Sequence, residues 1–321
     1  MKNQTDILGR LDEERRMVNL EIQKTLVGKP DRLYSAARHL CLAGGKKVRP
    51  MLCILSCRAV GGATEQAVRT SAAIELIHTF TLIHDDIMDN DEMRRGKPSV
   101  HKTYGLPTAI LAGDLLYAKG YEICDPKTVY ILAKATSEIC EGQELDMSFE
   151  ERADVSEADY MEMIEKKTAV LLRAAAESGA VIGGATEKQA KSLASYGLNL
   201  GLAFQMQDDI LGVTADEEKL GKPVGSDIVE GKKSLIAIKA IEKLPATEKK
   251  ELLKILHKKG NSETEINRAV ELFHESGAID YCRKKAEEYV KNAKDSLKDL
   301  PKTESREDLY GIAEYVIKRE L

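Results

Sequence analysis

TEQAVRTSAAIELIHTFTLIHDDIMD, Thr64 to Asp89, decides the fold class. Its apolar residues recur at helical steps and leave few polar positions for a wet face, so it reads as one long helix at the centre of a helical protein. It then ends in acid: Asp85 and Asp89 stand at i and i+4, one turn apart on one face, with Asp86, Asp91 and Glu92 beside them. Arg94, Arg95 and Lys97 follow at once. Like charges at that spacing repel by roughly a few tenths of a kcal/mol unless a cation neutralises them. A solvated helix end fits this run, and so does a site that grips divalent metal and phosphate together.

Outward from this run, helical periodicity continues and no alternating strand is evident. Helices are expected over Thr5 to Leu26, Pro30 to Leu42, Pro50 to Val60, Leu106 to Ile123, Pro126 to Met147, Ser156 to Val181 and Thr186 to Val213. Gly, Pro or a Ser/Thr/Asp cap bounds most of them. Shorter, more charged helices follow at Ser234 to Ile241, Thr247 to His257, Ser262 to Glu275, Ala278 to Leu297 and Arg306 to Lys318. The middle helices suit a buried bundle centre and the later ones an outer layer with one wet face. With no Pro/Ser linker and no low-complexity tract, the expectation is one all-α domain over residues 1–321.

Composition narrows the function. At 321 residues the chain is long enough for a sizeable core, and a net charge of −5 gives no reason to expect nucleic acid. The absence of Trp and an aromatic content of 5% argue against base-stacking platforms. Cys41, Cys53, Cys57, Cys124, Cys140 and Cys282 show neither a C-x-x-C pair nor a zinc spacing, so all six are expected to be reduced core residues of a cytoplasmic protein. The N-terminus is acidic without an apolar signal region, and no apolar run approaches the ~20 residues of a membrane span.

A second acidic pair sharpens the reading. In FQMQDDILG, Phe204 to Gly212, Asp208 and Asp209 stand among apolar side chains near the end of another long helix. Ionised carboxylates there need cations or an open, wet cavity. Two such acid-tipped helices, facing one another, would make a metal–diphosphate clamp. Cations are available: Lys46, Lys47 and Arg49 in GGKKVRP, His78 two turns before Asp85, and Lys222, Lys232 and Lys233 in the Gly-rich GKPVGSDIVEGKKS, which also carries Asp227. Glycines let backbone approach an anion, and Arg forks match phosphate oxygens. The nucleotide P-loop spacing is absent.

In this order GGKKVRP, HDDIMDNDEMRRGKP, EKKTAVLL, GLAFQMQDDILG and GKPVGSDIVEGKKS resemble the motifs of the trans-isoprenyl diphosphate synthases, the head-to-tail polyprenyl synthases, over Gly44 to Ser234. The resemblance implies an all-helical bundle around a deep central cavity. It implies condensation of an allylic diphosphate with isopentenyl diphosphate, three magnesium ions per site, and a homodimer. Asp85, Asp89 and Asp208 would hold metal, with Asp209 acting through water and Asp227 supporting from behind. Arg94, Lys167, Lys222 and Lys232 would contact the allylic diphosphate, and Lys167, Thr168 and Gln205 would serve the reacting carbons. Lys46, Arg49, His78 and Arg95 would bind isopentenyl diphosphate. The family pattern is broken at Gly212, where many members carry a third Asp in the most peripheral part of the metal role. A basic tail, Lys318 and Arg319, would help close the site.

Product length becomes a packing question. Thr81 is one turn and Ile77 two turns above Asp85, the latter by about 12 Å of helical rise. Thr81 lets a chain pass, and Phe80 with the side chains a turn further up would form the floor. By resemblance this pattern implies geranylgeranyl diphosphate, with farnesyl diphosphate as intermediate or as the alternative main product. A terpene cyclase or head-to-head synthase would share the metal motifs but has no need of the isopentenyl diphosphate cations. A regulatory prenyl synthase subunit would be expected to lose an acidic motif, and this chain keeps both. A helical scaffold whose charge runs are only solvated faces would not bind pyrophosphate with magnesium.

Overall fold

The computed structural model describes residues 7, 9–152, 154–214, 226–258 and 260–318, and these are almost entirely helical. In chain order the helices are α1 (Asp12–Thr25), α2 (Asp31–Cys41), α3 (Val48–Ala59), α4 (Thr64–Met88), α5 (Val100–Tyr104), α6 (Leu106–Ile123), α7 (Val129–Glu151), α8 (Glu157–Ile164), α9 (Val170–Ile182), α10 (Glu187–Thr214), α11 (Ser226–Glu230), α12 (Leu235–Lys243), α13 (Ala246–Leu256), α14 (Glu263–Glu275), α15 (Ala278–Ser296) and α16 (Glu304–Lys318). The only strands among the described residues are two-residue β1 (Met93–Arg94) and β2 (Lys97–Pro98). They pair antiparallel, Met93 with Pro98 and Arg94 with Lys97.

The all-α expectation holds, with local departures, among them the following. Helix α3 begins at Val48, ahead of the expected Pro50, because a proline in the first helical turn gives up an N–H that has no intrahelical partner. The run expected as one helix from Ser156 is interrupted by a π-turn at Glu165–Ala169. A stretch left without regular structure holds β1, β2 and α5. Its Arg95 and Gly96 both have positive φ, 53° and 71°, the two-residue turn that matches the twist of paired strands.

The chain divides into two compact units, each assembled from separate segments. One comprises Met1–Thr136, Leu171–Gly197 and Ser296–Ile312; the other comprises Ser137–Val170, Leu198–Asp295 and Ala313–Leu321. In the first, α4 is the hub and packs against α1, α3 and α6. Ala67, Ala72, Ala73, Ile74, Leu76, Ile77 and Ile83 are buried along it, as a centrally placed helix requires. Its start is fixed by Gln66, whose Oε1 accepts the Ala63 N–H at 2.8 Å. In the second unit Tyr160, Met206, Ile210, Ile236, Leu252, Phe273 and Ile279 belong to one apolar cluster. Helices α8 and α14 open with the expected serines, Ser156 and Ser262, each in a reciprocal capping box.

All six cysteines are unbridged, and all but Cys140 are buried. Burial pushes the Cys41, Cys53 and Cys282 thiols up to about 12, so they are small core residues rather than nucleophiles. Among the described residues no helix is long and apolar enough to cross a membrane.

Helices α3 and α9 touch backbone to backbone at Gly179, where an added Cβ would stand 2.0 Å from the Cys53 carbonyl oxygen. Gly179→Ala should therefore force the helices apart and lower the unfolding free energy by about 1–3 kcal/mol, read as a lower urea midpoint at unchanged slope. A wild-type midpoint would show that this crossing is not close-packed in solution.

Candidate active site

Helix α4 stops in a hydrogen-bonded turn that presents its acids. Asn90 takes the left-handed conformation at φ 54°. The Asn90 N–H bonds the Ile87 carbonyl at 3.4 Å and the Asp91 N–H bonds the Asp86 carbonyl at 2.9 Å, the paired pattern that closes many helices. The Asp89 N–H still donates to the Asp85 carbonyl at 2.8 Å, so these two carboxylates share one face as their spacing predicts. Asp85 is half-buried and Asp89 exposed, whereas Asp86 is fully buried. Arg94 answers Asp86: its Nε donates to Asp86 Oδ1 at 2.6 Å, and a second nitrogen reaches Asp91 Oδ2 at 2.9 Å. Burial pulls the Arg94 guanidinium down, but Asp86 and Asp91 outweigh it and hold it above its ordinary range. The Arg95–Gly96 turn sends the next side chain elsewhere, and Arg95 donates to the Leu40 and Gly44 carbonyls at 3.2 and 3.1 Å.

Arg95 thereby joins a cation cluster. Arg49 on α3 lies 3.2 Å from His78 Nε2 on α4. Lys47, in the left-handed conformation at φ 47°, buries its ammonium 3.1 Å from Glu75, which Arg95 also approaches at 3.8 Å. Three cations and an imidazole thus crowd one carboxylate. Burial, with Arg95 adding to it and Glu75 opposing, pushes the Arg49 guanidinium down to about 10. A pocket with surplus positive charge is a place for an anion. Gly45, at φ 103°, lets the preceding loop run against the Arg95 guanidinium: an added Cβ would lie 3.3 Å from its Cζ. Three of the four cations predicted for isopentenyl diphosphate, Arg49, His78 and Arg95, belong to this cluster, while Lys46 is exposed.

In the second unit the π-turn Glu165–Ala169 carries Lys167 and Thr168. Turns of this kind widen a helix by one residue and recur at functional positions. It is tightly gripped: an added Cβ at Gly142 of α7 would stand 2.2 Å from the Lys167 nitrogen, and one at Gly201 of α10 would stand 2.5 Å from Ala169 Cα. The Lys167 ammonium pairs with Asp146. Thr168 Oγ1 donates to Gln205 Oε1 at 2.9 Å, Gln205 Nε2 donates to Asp209 Oδ1 at 2.9 Å, and the Tyr160 hydroxyl donates to Asp209 Oδ2 at 2.6 Å. Asp209 is buried and Asp208 half-buried. A cleft of about 110 Å³ is lined by Lys167, Thr168, Gln205, Asp209, Lys232 and Lys233, among others. Lys232 pairs with Glu230 at 2.7 Å.

The remaining predicted positions are placed as follows. Ile77 is fully buried, Phe80 and Thr81 are half-buried, and Phe80 meets Tyr117 and His84 edge to face at 5.5 and 4.9 Å. Gly212 lies on α10. Lys222, Arg319 and the Asp227 side chain fall outside the described residues, and Lys318 approaches Glu314 at 3.8 Å. Sequence reasoning named Asp86 without giving it a role and passed over Glu75, Asp146 and Tyr160. Glu75 and Asp86 were findable as acids on the buried side of an apolar helix, whereas nothing local distinguishes Tyr160.

The residues predicted to hold metal offer carboxylate oxygens. Among the described residues no group of three or more His, Cys, Asp or Glu gathers into a closed cage. One turn of helix offering two carboxylates suits magnesium, which keeps water and takes the rest of its shell from substrate phosphate.

His78 gives this geometry a pH signature. Burial, then Arg49, Arg95 and Lys47, hold its imidazole well below the ordinary value. The unfolded chain takes up a proton near pH 6.5, and the folded chain does not. This group's contribution to stability is therefore complete above that pH and is lost as pH falls below it. Denaturant titrations from about pH 7.5 to about pH 5.5 should show falling stability, and a shallower fall in His78→Asn. An identical slope in that variant would assign the titration to another group.

The polyprenyl synthetase family model matches residues 30–273. A short chain isoprenyl diphosphate synthase of Methanothermobacter thermautotrophicus is 48% identical over 299 residues, covering 91% of both chains. A geranylgeranyl diphosphate synthase of Sulfolobus acidocaldarius is 44% identical, covering 94% of this chain and 95% of its own. The crystal structure of geranylgeranyl pyrophosphate synthetase from Pyrococcus horikoshii Ot3 superimposes with a TM-score of 0.93 at 42% identity, covering 98% of this chain and 99% of its own. The chain belongs to the polyprenyl synthetase family, the trans-isoprenyl diphosphate synthases.

Proposed function

We propose that this chain, as one synthase domain spanning 1–321, condenses an allylic diphosphate with isopentenyl diphosphate and makes geranylgeranyl diphosphate. The observation that carries this reading is the cluster of Lys47, Arg49, His78 and Arg95 around the single carboxylate of Glu75. A synthase that elongates needs a second diphosphate site, apart from the one where the allylic substrate ionises. A cyclase has no use for it, and a head-to-head synthase takes a second allylic diphosphate rather than isopentenyl diphosphate.

Asp85 and Asp89 are assigned two magnesium ions and Asp208 a third, on the diphosphate of the allylic substrate. Magnesium supplies neutralisation of the charge that develops on departing diphosphate. Arg94, Lys167, Lys222 and Lys232 are assigned contacts to the same group, and Lys46 joins Arg49, His78 and Arg95 on isopentenyl diphosphate. Asp209 takes the Gln205 NH₂ on one oxygen and the Tyr160 hydroxyl on the other, which fixes the amide with its oxygen turned to Thr168. That fixed dipole is suited to stabilising positive charge on the allylic carbon. Met163 and Ile164 line the same cleft with apolar surface that discourages water, which would quench such a cation. No nucleophilic side chain is required.

Phe80 is assigned the floor for the growing chain, supported by Tyr117, which in turn meets Tyr121 edge to face at 4.9 Å. A homodimer is supported by the exposed Leu106, Ile110, Leu111 and Tyr117 on α6. The unbridged cysteines agree with a cytoplasmic protein.

Chromatography of products formed from labelled isopentenyl diphosphate with magnesium should show the twenty-carbon diphosphate as the main species, and Phe80→Ala should move it to longer chains. Only fifteen-carbon products, or only thirty-carbon and longer ones, would overturn the product assignment. Tyr160→Phe should lower kcat by about tenfold or more, the loss of one hydrogen bond to a charged group, with little change in the KM for isopentenyl diphosphate. An unchanged kcat would remove Asp209 and Gln205 from the ionisation step.

A further inference from the structure

Lys233 is a buried charge for which the described residues supply no partner. It lies between α11 and α12, 9% exposed, on the wall of the cleft that also holds Lys167, Thr168, Gln205 and Asp209. The other two lysines of this cleft are committed, Lys167 to Asp146 and Lys232 to Glu230. Among the described residues Lys233 makes neither an ion pair nor a side-chain hydrogen bond. Burial lowers its ammonium from the ordinary range. A largely buried ammonium is favoured when something anionic meets it.

A second feature points the same way. The next residue, Ser234, also lines the cleft and is the N-cap of α12, its Oγ accepting the Ala237 N–H at 3.4 Å. The first turn of that nine-residue helix therefore opens beside Lys233, and helix N-termini favour anions.

We propose that Lys233, together with the first turn of α12, is a further binding residue for the diphosphate group of the allylic substrate and for the diphosphate it releases. The inference rests on the synthase reading above and adds a contact to it. Lys233 would meet the phosphate as a point charge, and Ser234 would keep the helix start in place behind it.

The test compares the full-length chain with Lys233→Met and Lys233→Arg, using inorganic pyrophosphate with magnesium as the calorimetric probe and steady-state kinetics as the second readout. In Lys233→Met pyrophosphate should bind roughly tenfold more weakly or worse, and the KM for the allylic diphosphate should rise while that for isopentenyl diphosphate stays put. Lys233→Arg should recover most of the binding. Without ligand, Lys233→Met should unfold at the same temperature as the parent or higher, since an uncompensated buried charge has been removed. With saturating pyrophosphate its gain in Tm should be smaller than the parent's. Wild-type pyrophosphate affinity in Lys233→Met would overturn the inference and leave the synthase reading standing. A ligand-free Tm well below the parent's, with affinity retained, would make Lys233 a packing residue. A parent chain that neither binds pyrophosphate nor turns over would overturn both.

Discussion

Negative charge stands at the negative end of helices here, and much of the chemistry follows from that. The carbonyl end of a helix carries a partial negative charge and favours cations. Helices α4 and α10 put Asp85, Asp86 and Asp89, and Asp208 and Asp209, near that end. The two adjacent pairs solve the conflict alike. The second acid of each pair is buried and held by the protein: Asp86 by Arg94, and Asp209 by Tyr160 and Gln205. The first acid, Asp85 or Asp208, stays half-buried. One carboxylate therefore fixes the local structure, while its neighbour, the carboxylate assigned to the ion, is the less buried of the two.

The cation cluster around Glu75 inverts this arrangement. There the surplus is positive, and a single buried acid, Glu75, organises it. Removing Glu75 would leave Lys47 buried and unpaired, which costs more than the pair itself contributes. Positive φ at Lys47 and Arg95 shows the backbone bending to bring these side chains in, the kind of local strain that persists where surrounding contacts over-determine it.

The helical class, most helix ends and the motif residues were legible because each has a local signature. Leu106 to Ile123 was bounded in the sequence as it is in the structure, and Ser156 and Ser262 announced their helices through their own hydrogen bonds. What stayed hidden was non-local. The π-turn is set by Gly142 and Gly201 pressing from other helices, and neither the periodicity of residues 156–181 nor their propensities encode that pressure. The Arg95–Gly96 turn lacks the usual Asn-Gly or Asp-Gly signal. Tyr160 and Asp146 gain meaning only from partners 49 and 21 residues away.

The widened turn at Glu165–Ala169 makes residue count matter more than residue identity. A regular helix turns by about 100° per residue, so one extra position rotates everything beyond it by that much. Deleting a single residue there would leave a smooth, well-bonded helix and no obvious defect, yet Lys167 and Thr168 would swing around the axis away from Asp146 and Gln205. Substitution at positions of this segment other than Lys167 and Thr168 leaves the register intact as long as the length is kept, whereas a lost codon would leave a folded protein with those two side chains facing the wrong way.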